Sequence, residues 1–167
     1  MSMANKIPAI RAIAIDLDGT LLDTIPDLCG AVNLTLAALN LPAIPLETVK
    51  TFVGKGLMAH VGKSLRFVLE RDPTERELHG ALDLYRRFYF EHIADRTTLY
   101  PGVVDGLEAF KGRGLPLSVV TNKWTANSLT LLEKFNLAQY FDHVVCGDTL
   151  ISNKPEAGMI FYSAGQH

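Results

Sequence analysis

The sequence predicts an α/β fold, a parallel core interrupted after its first strand by an all-helical subdomain. Three observations carry this expectation. Residues Ala9 to Ile15 (AIRAIAI) form a nearly continuous apolar run, the mark of a strand covered on both faces. Residues 24 to 96 then show helical periodicity without a strand signal. Beyond Tyr100-Pro101-Gly102, helix and strand patterns alternate, as they do around a parallel sheet. The core is expected over residues 1–20 and 99–167, and the helical insertion over 21–98.

The elements follow in order. After the first strand and the polar turn Asp16-Leu17-Asp18-Gly19-Thr20, a helix is expected from about Pro26. Its face carries Leu28, Val32, Thr35, Leu36 and Leu39, and Asn40, Pro42 and Pro45 end it. A second helix follows the flexible Gly54-Lys55-Gly56, with Leu57, Val61, Leu65, Val68 and Leu69 at helix spacing. Asp72-Pro73-Thr74-Glu75 is a start signal in which Asp72 can cap, Pro73 suits the first helical position and Glu75 completes a capping box. The long helix beyond it presents Leu78, Leu82, Tyr85, Tyr89 and His92, a stripe widened by Ala81, Phe88 and Ile93.

Val103 to Lys111 reads as a helix and Leu115 to Val120 as a strand. Thr125 to Phe135 is a helix with Leu129, Leu132 and Phe135 on one side, and His143 to Cys146 is a short strand closed by Gly147-Asp148. Right-handed crossovers bring the strand ends to one edge of the sheet, where α/β folds bind ligands. The polar residues cluster at those ends: Asp16 and Asp18, Thr121 and Asn122, then Asp148.

Composition narrows the function. Sixteen basic and eighteen acidic residues in 167 leave a net charge of −2 and no electrostatic footprint for nucleic acid or an anionic membrane. No apolar run approaches the roughly 18 residues needed to span a bilayer. Cys29 and Cys146 are too few and too far apart for a disulfide framework, which suits a cytoplasmic protein with buried thiols.

Asp16 and Asp18 concentrate negative charge at a strand end, and two such carboxylates repel. A hard divalent cation such as Mg²⁺ would resolve the conflict. Gly19 allows a sharp turn and lets backbone N–H groups approach an anion. Thr121 adds a hydroxyl and Lys154 a compact positive charge. Carboxylate, metal, hydroxyl and ammonium at one point suit a phosphoryl group better than a carbonyl. The five histidines show no metal-ligand spacing and no triad partner. Asp148 reads as a turn residue rather than a metal ligand, and Trp124 as a packing residue.

Asp16-Leu17-Asp18-Gly19-Thr20-Leu21-Leu22-Asp23-Thr24 resembles the first signature of the haloacid dehalogenase superfamily of phosphatases. Val119-Val120-Thr121-Asn122-Lys123 resembles its second motif and Asn153-Lys154-Pro155 its third. Phe52-Val53-Gly54-Lys55-Gly56, Tyr100-Pro101-Gly102-Val103 and Phe141 to Thr149 draw the likeness toward phosphoglycolate phosphatases. The resemblance implies a Rossmann-like core with a helical cap, Asp16 as nucleophile, Asp18 as proton shuttle, and Thr121 and Lys154 holding the transferring oxygens. Mg²⁺ would bind the Asp16 carboxylate and the backbone carbonyl of Asp18. Gly19, Thr20 and Asn122 would help to hold the phosphate, and Lys55 would touch a small acidic substrate. A phosphosugar mutase is the alternative on the same chemistry.

The family's fourth motif, an acidic pair on a further strand, is not found after Lys154; residues 155 to 167 contain no Asp. Three readings follow: a truncated form of a longer protein, a second chain or copy covering the open edge of the first strand, or a catalytically incomplete relative that binds without turnover.

Overall fold

The computed structural model describes residues 10–167, so Ala9, expected at the start of the first strand, lies outside the described residues. The first strand, β1, spans Ile13–Ile15 and is followed by the two-residue β2, Leu22–Asp23. Four helices come next: α1 (Ile25–Ala38), α2 (Leu46–Lys50), α3 (Leu57–Leu69) and α4 (Glu75–Glu91). The chain returns through β3 (Thr98–Leu99) to α5 (Val103–Lys111), β4 (Leu117–Val120), α6 (Thr125–Lys134), a 3₁₀ turn at Ala138–Tyr140, β5 (His143–Val145) and α7 (Gly158–Gly165).

The core sheet is parallel, in the order β1-β4-β5. All four residues of β4 are buried, as befits the central strand. β1 lies at the sheet edge, as the open edge of the first strand anticipates, but it departs from the expected cover on both faces, because Ala14 is exposed. Among the described residues β4 is its only paired neighbour. β2 and β3 form an antiparallel ribbon, Leu22 opposite Leu99 and Asp23 opposite Thr98. α1 to α4 all fall between these two strands. The ribbon ties the start of the helical segment to its end, and two-residue strands leave no periodicity by which a sequence could reveal them.

The helical segment is built on the expected stripe. Leu82, Tyr85 and Tyr89 of α4 are buried with Ala81, and α4 packs on both α1 and α3. His92 departs from the stripe, since it caps the helix in solvent and pairs with Asp95 at 2.9 Å. The cap of α4 also sits two residues later than expected. Thr74 is the N-cap and makes the capping box with Glu77, while Asp72 stays outside the helix. In α6 the buried pair is Leu131 and Leu132, and Leu129 is turned toward solvent.

Asp27 is the buried polar joint of the helical segment. Its side chain is almost fully enclosed and accepts hydrogen bonds from Arg96 N, Thr97 N (2.8 Å) and Thr97 Oγ1 (2.6 Å). Removing the acceptor strands these donors, and an unmade hydrogen bond in a protein interior costs more than a made one contributes. Asp27→Ala is expected to lower the unfolding free energy in chemical denaturation by about 3 kcal/mol, and Asp27→Asn, which keeps one acceptor, by less.

Candidate active site

β1 and β4 run parallel with Ile15 opposite Val119, so the residues beyond both strands emerge side by side. Asp16 leaves the end of β1 and Thr121 the end of β4. Thr121 is 1% exposed, and its N–H donates to Val145 O at 2.9 Å, continuing the ladder with β5. Gly19, at φ +78°, makes the turn after Asp18 and donates to Leu22 O at 2.9 Å. A side chain would strain that conformation.

Each carboxylate has its own lysine. Lys154 Nζ lies 2.8 Å from Asp16 Oδ1, which also accepts from Leu17 N, and Lys154 donates to Val120 O as well. Lys123 Nζ lies 3.0 and 3.1 Å from the two oxygens of Asp18, and Thr24 Oγ1 donates to Asp18 Oδ1 at 2.6 Å. The repulsion expected between the two acids is therefore offset inside the protein by two ammonium groups. Burial alone would pull the Lys123 pKa down; the charge of Asp18, aided by Tyr89, outweighs it and holds Lys123 above its ordinary value. The ammonium also lies over the Tyr89 ring, 4.8 Å from its centroid.

Asn122 acts as a strut. Its Nδ2 donates to Gly54 O (2.8 Å) and Lys154 O (2.9 Å), and its Oδ1 accepts from Lys154 N (2.9 Å). Both amide donors are thus engaged within the protein, so the side chain positions the Gly54 loop and the Lys154 loop rather than offering an N–H to an anion. Gly147 allows the 122–123 backbone to pass, because a Cβ there would collide with the carbonyl of Asn122. Asp148 Oδ1 accepts from the backbone N and Oγ1 of Thr125, fixing the start of α6.

These residues border a cavity of about 90 Å³ lined by Asp16, Asp18, Thr121, Asn122, Lys123 and Lys154 on one side. Gly54, Gly56, Leu57, His60, Tyr85 and Tyr89 of the helical segment line the other. Of the residues singled out from the sequence, Asp16, Asp18, Thr121, Asn122 and Lys154 come together here. Lys55 and Thr20 are exposed and stand outside the lining, and Gly19 shapes the turn behind it. Sequence reasoning missed Lys123 and His60 as site residues. Lys123 stood inside the quoted Thr121-Asn122-Lys123 segment, but its partner lies 105 positions away. The polar lining and the spacing of α3 gave no sign that His60 would turn into the cavity.

The oxygen donors suit a hard cation only in part. The Asp16 side chain is 41% exposed and, among the described residues, its Oδ2 accepts no hydrogen bond, so one carboxylate oxygen is open. The Asp18 carboxylate is taken up by Lys123 and Thr24, which leaves its backbone carbonyl as the further donor that the resemblance implies. Among the described residues no three of His, Cys, Asp and Glu gather at one point. Such a set fits a Mg²⁺ that draws most of its coordination from water and a phosphate group.

Fold, strand-end acids and helical insertion are those of the haloacid dehalogenase class, and the family model described as haloacid dehalogenase-like hydrolase matches residues 13–165. The chain belongs to that family. It is 45% identical over 147 residues to a phosphoglycolate phosphatase of Nitrosospira multiformis, covering 88% of this chain and 65% of that protein. It is 36% identical over 167 residues to the phosphoglycolate phosphatase of Escherichia coli K12, covering 90% of this chain and 66% of that protein. The chain thus spans about two thirds of the length of these curated relatives. Its fold superposes with a TM-score of 0.86 on the crystal structure of a predicted phosphoglycolate phosphatase from Haemophilus somnus 129pt, 31% identical, covering 96% of this chain and 72% of that one. Among the described residues no helix is long and apolar enough to cross a membrane.

Lys123→Met would leave the carboxylate of Asp18 without its counter-charge in a largely buried position, which is expected to cost about 3 kcal/mol in denaturant titration. Adding Asp18→Asn to that variant removes the orphaned charge and recovers most of the loss.

Proposed function

We propose that this chain carries the reacting groups of a phosphoric monoester hydrolase for a small phosphorylated acid, with phosphoglycolate as the first candidate substrate. The observation that carries the reading is the Asp16 carboxylate. It is fixed on one oxygen by Lys154 and Leu17 N, open on the other, and set beside the Thr121 hydroxyl at the cavity wall.

In this reading Asp16 Oδ2 attacks phosphorus in line with the departing alkoxide, giving an aspartyl-phosphate that water then opens, so one hard step becomes two easier ones. Asp18, in its protonated form, gives its proton to the leaving oxygen, and the carboxylate left behind takes one back from the attacking water. Lys123 and Thr24 hold the Asp18 carboxylate in one orientation for both transfers. Lys154 and Thr121 meet the charge on the phosphoryl oxygens with donors already in place. Mg²⁺, held by Asp16 and the Asp18 carbonyl, would neutralise charge on the phosphoryl group.

Residues 21–98 act as a cap over this centre. Support comes from three contacts that hold the two sides together. Asn122 bonds Gly54 O, Lys123 lies on Tyr89, and the Arg86 guanidinium lies 4.7 Å from the centre of the Trp124 ring. A cavity of about 90 Å³ favours a small ester over a nucleotide or polymer. The two buried thiols, Cys29 and Cys146, accord with a cytoplasmic setting. A second chain or copy along the open edge of β1 belongs to the same proposal.

Phosphate release from phosphoglycolate, followed with and without Mg²⁺, tests the reading. Metal-dependent release that falls by about a thousandfold in Asp16→Asn is expected. Release that survives the substitution removes Asp16 as nucleophile. Phosphoglycolate binding without any release points instead to a chain that holds the ester and does not turn it over.

A further inference from the structure

The cavity contains two buried polar side chains that phosphoryl transfer does not use. His60, on α3, is 5% exposed, and neither ring nitrogen has a hydrogen-bond partner among the described residues. Tyr89, on α4, is 2% exposed; the Lys123 ammonium stands beside its hydroxyl, whose own O–H has no acceptor among the described residues. Both line the cavity on the side of the helical segment. Tyr85 ties the pair into one wall: its ring meets His60 edge-on at 5.6 Å and stacks on Tyr89 at 5.8 Å. Native interiors rarely leave buried donors and acceptors unpaired, and each such case calls for a partner that arrives from elsewhere.

The chemistry of that partner follows from the protonation of the wall. Burial first, then the charge of Lys123, push the His60 pKa down to about 4; Asp18 and the Phe52 carbonyl pull weakly the other way. The Phe52 carbonyl stands near the ring without reaching hydrogen-bond geometry. At neutral pH the ring therefore carries one N–H donor, and burial raises the Tyr89 pKa and keeps its O–H. Two neutral donors, among apolar neighbours such as Leu57 and Val53 and beside a Lys123 ammonium whose charge Asp18 already balances, call for a strong hydrogen-bond acceptor, and a carboxylate is the strongest that a small phosphate ester can bring.

We propose that His60 and Tyr89 form a carboxylate subsite that receives the end of the substrate remote from the phosphate and selects small phosphorylated acids over phosphorylated alcohols. The inference rests on the phosphatase reading for the position of the phosphate and assigns the other end of the same ligand. Failure to bond a carboxylate leaves both donors unpaired, and this is how a site built around hydrogen bonds rejects an analogue that lacks the matching group.

The test compares binding of phosphoglycolate with that of ethyl phosphate, which has similar size and no carboxylate. It uses the wild-type chain, His60→Leu and the shape-preserving Tyr89→Phe. Phosphoglycolate is expected to bind at least about tenfold more tightly than ethyl phosphate, and each variant to reduce that preference several-fold. The His60 ring resonances in the NMR spectrum are expected to shift with phosphoglycolate and to stay in place with ethyl phosphate. Equal losses for the two esters, an unchanged preference, or His60 signals that do not respond would overturn the subsite. Turnover of both esters without preference removes the subsite and leaves the phosphatase reading standing. A His60 shift on phosphoglycolate binding without turnover does the reverse, and no binding of either ester removes both.

Discussion

Two negative charges two residues apart, at the end of an edge strand, are the constraint around which the rest of this structure is arranged. Asp16 and Asp18 cannot share that turn without counter-charges, and the chain brings two from distant segments: Lys154 to Asp16 and Lys123 to Asp18. Each lysine has to be held in turn. Lys154 is anchored on Val120 O and its loop is gripped by Asn122, while Lys123 is buried against Tyr89 of the helical segment. Neutralising the acids therefore closes the helices over the strand ends. The same interactions that stabilise the turn also build the cavity.

The coupling of charge to closure gives the site its asymmetry. Asp18 is enclosed and held by Lys123 and Thr24, which fixes its orientation for the proton transfers proposed for it. Asp16 keeps one oxygen open toward the cavity, which suits a group that must form a bond. The difference arises from position along β1 and its turn. Asp16 follows the strand directly, and Asp18 is turned back by Gly19 toward Thr24 at the start of α1.

Much of this was legible in the sequence, for a physical reason. A strand-end turn is a local feature, so Asp16, Asp18 and Gly19 announce themselves by spacing, and β4, α5 and β5 are marked by runs long enough to show a pattern. The bounds of α5 agree to the residue. The missed features depend on long-range pairing or lack a period. The β2–β3 ribbon has two residues per strand, α2 has five residues, and α7 begins without a side-chain cap. The start of α4 was a choice between two overlapping signals. Thr74 with Glu77 prevails over Asp72 with Glu75, because the Glu77 side chain reaches back to Thr74 N at 2.7 Å. Lys123, Asn122 and His60 show their roles only once the chain has brought partners together. The Asn122 side-chain amide is engaged by Gly54 and Lys154, which leaves its backbone as the part that could meet an anion.

Bond formation at Asp16 is the step on which the proposed chemistry depends. Acid quenching during turnover of phosphoglycolate, followed by peptide mass spectrometry, reads it directly. The peptide containing Asp16 is expected to gain the mass of one phosphoryl group, and the adduct to disappear in Asp16→Asn. Turnover with no such adduct, or an adduct carried by another residue, would contradict it.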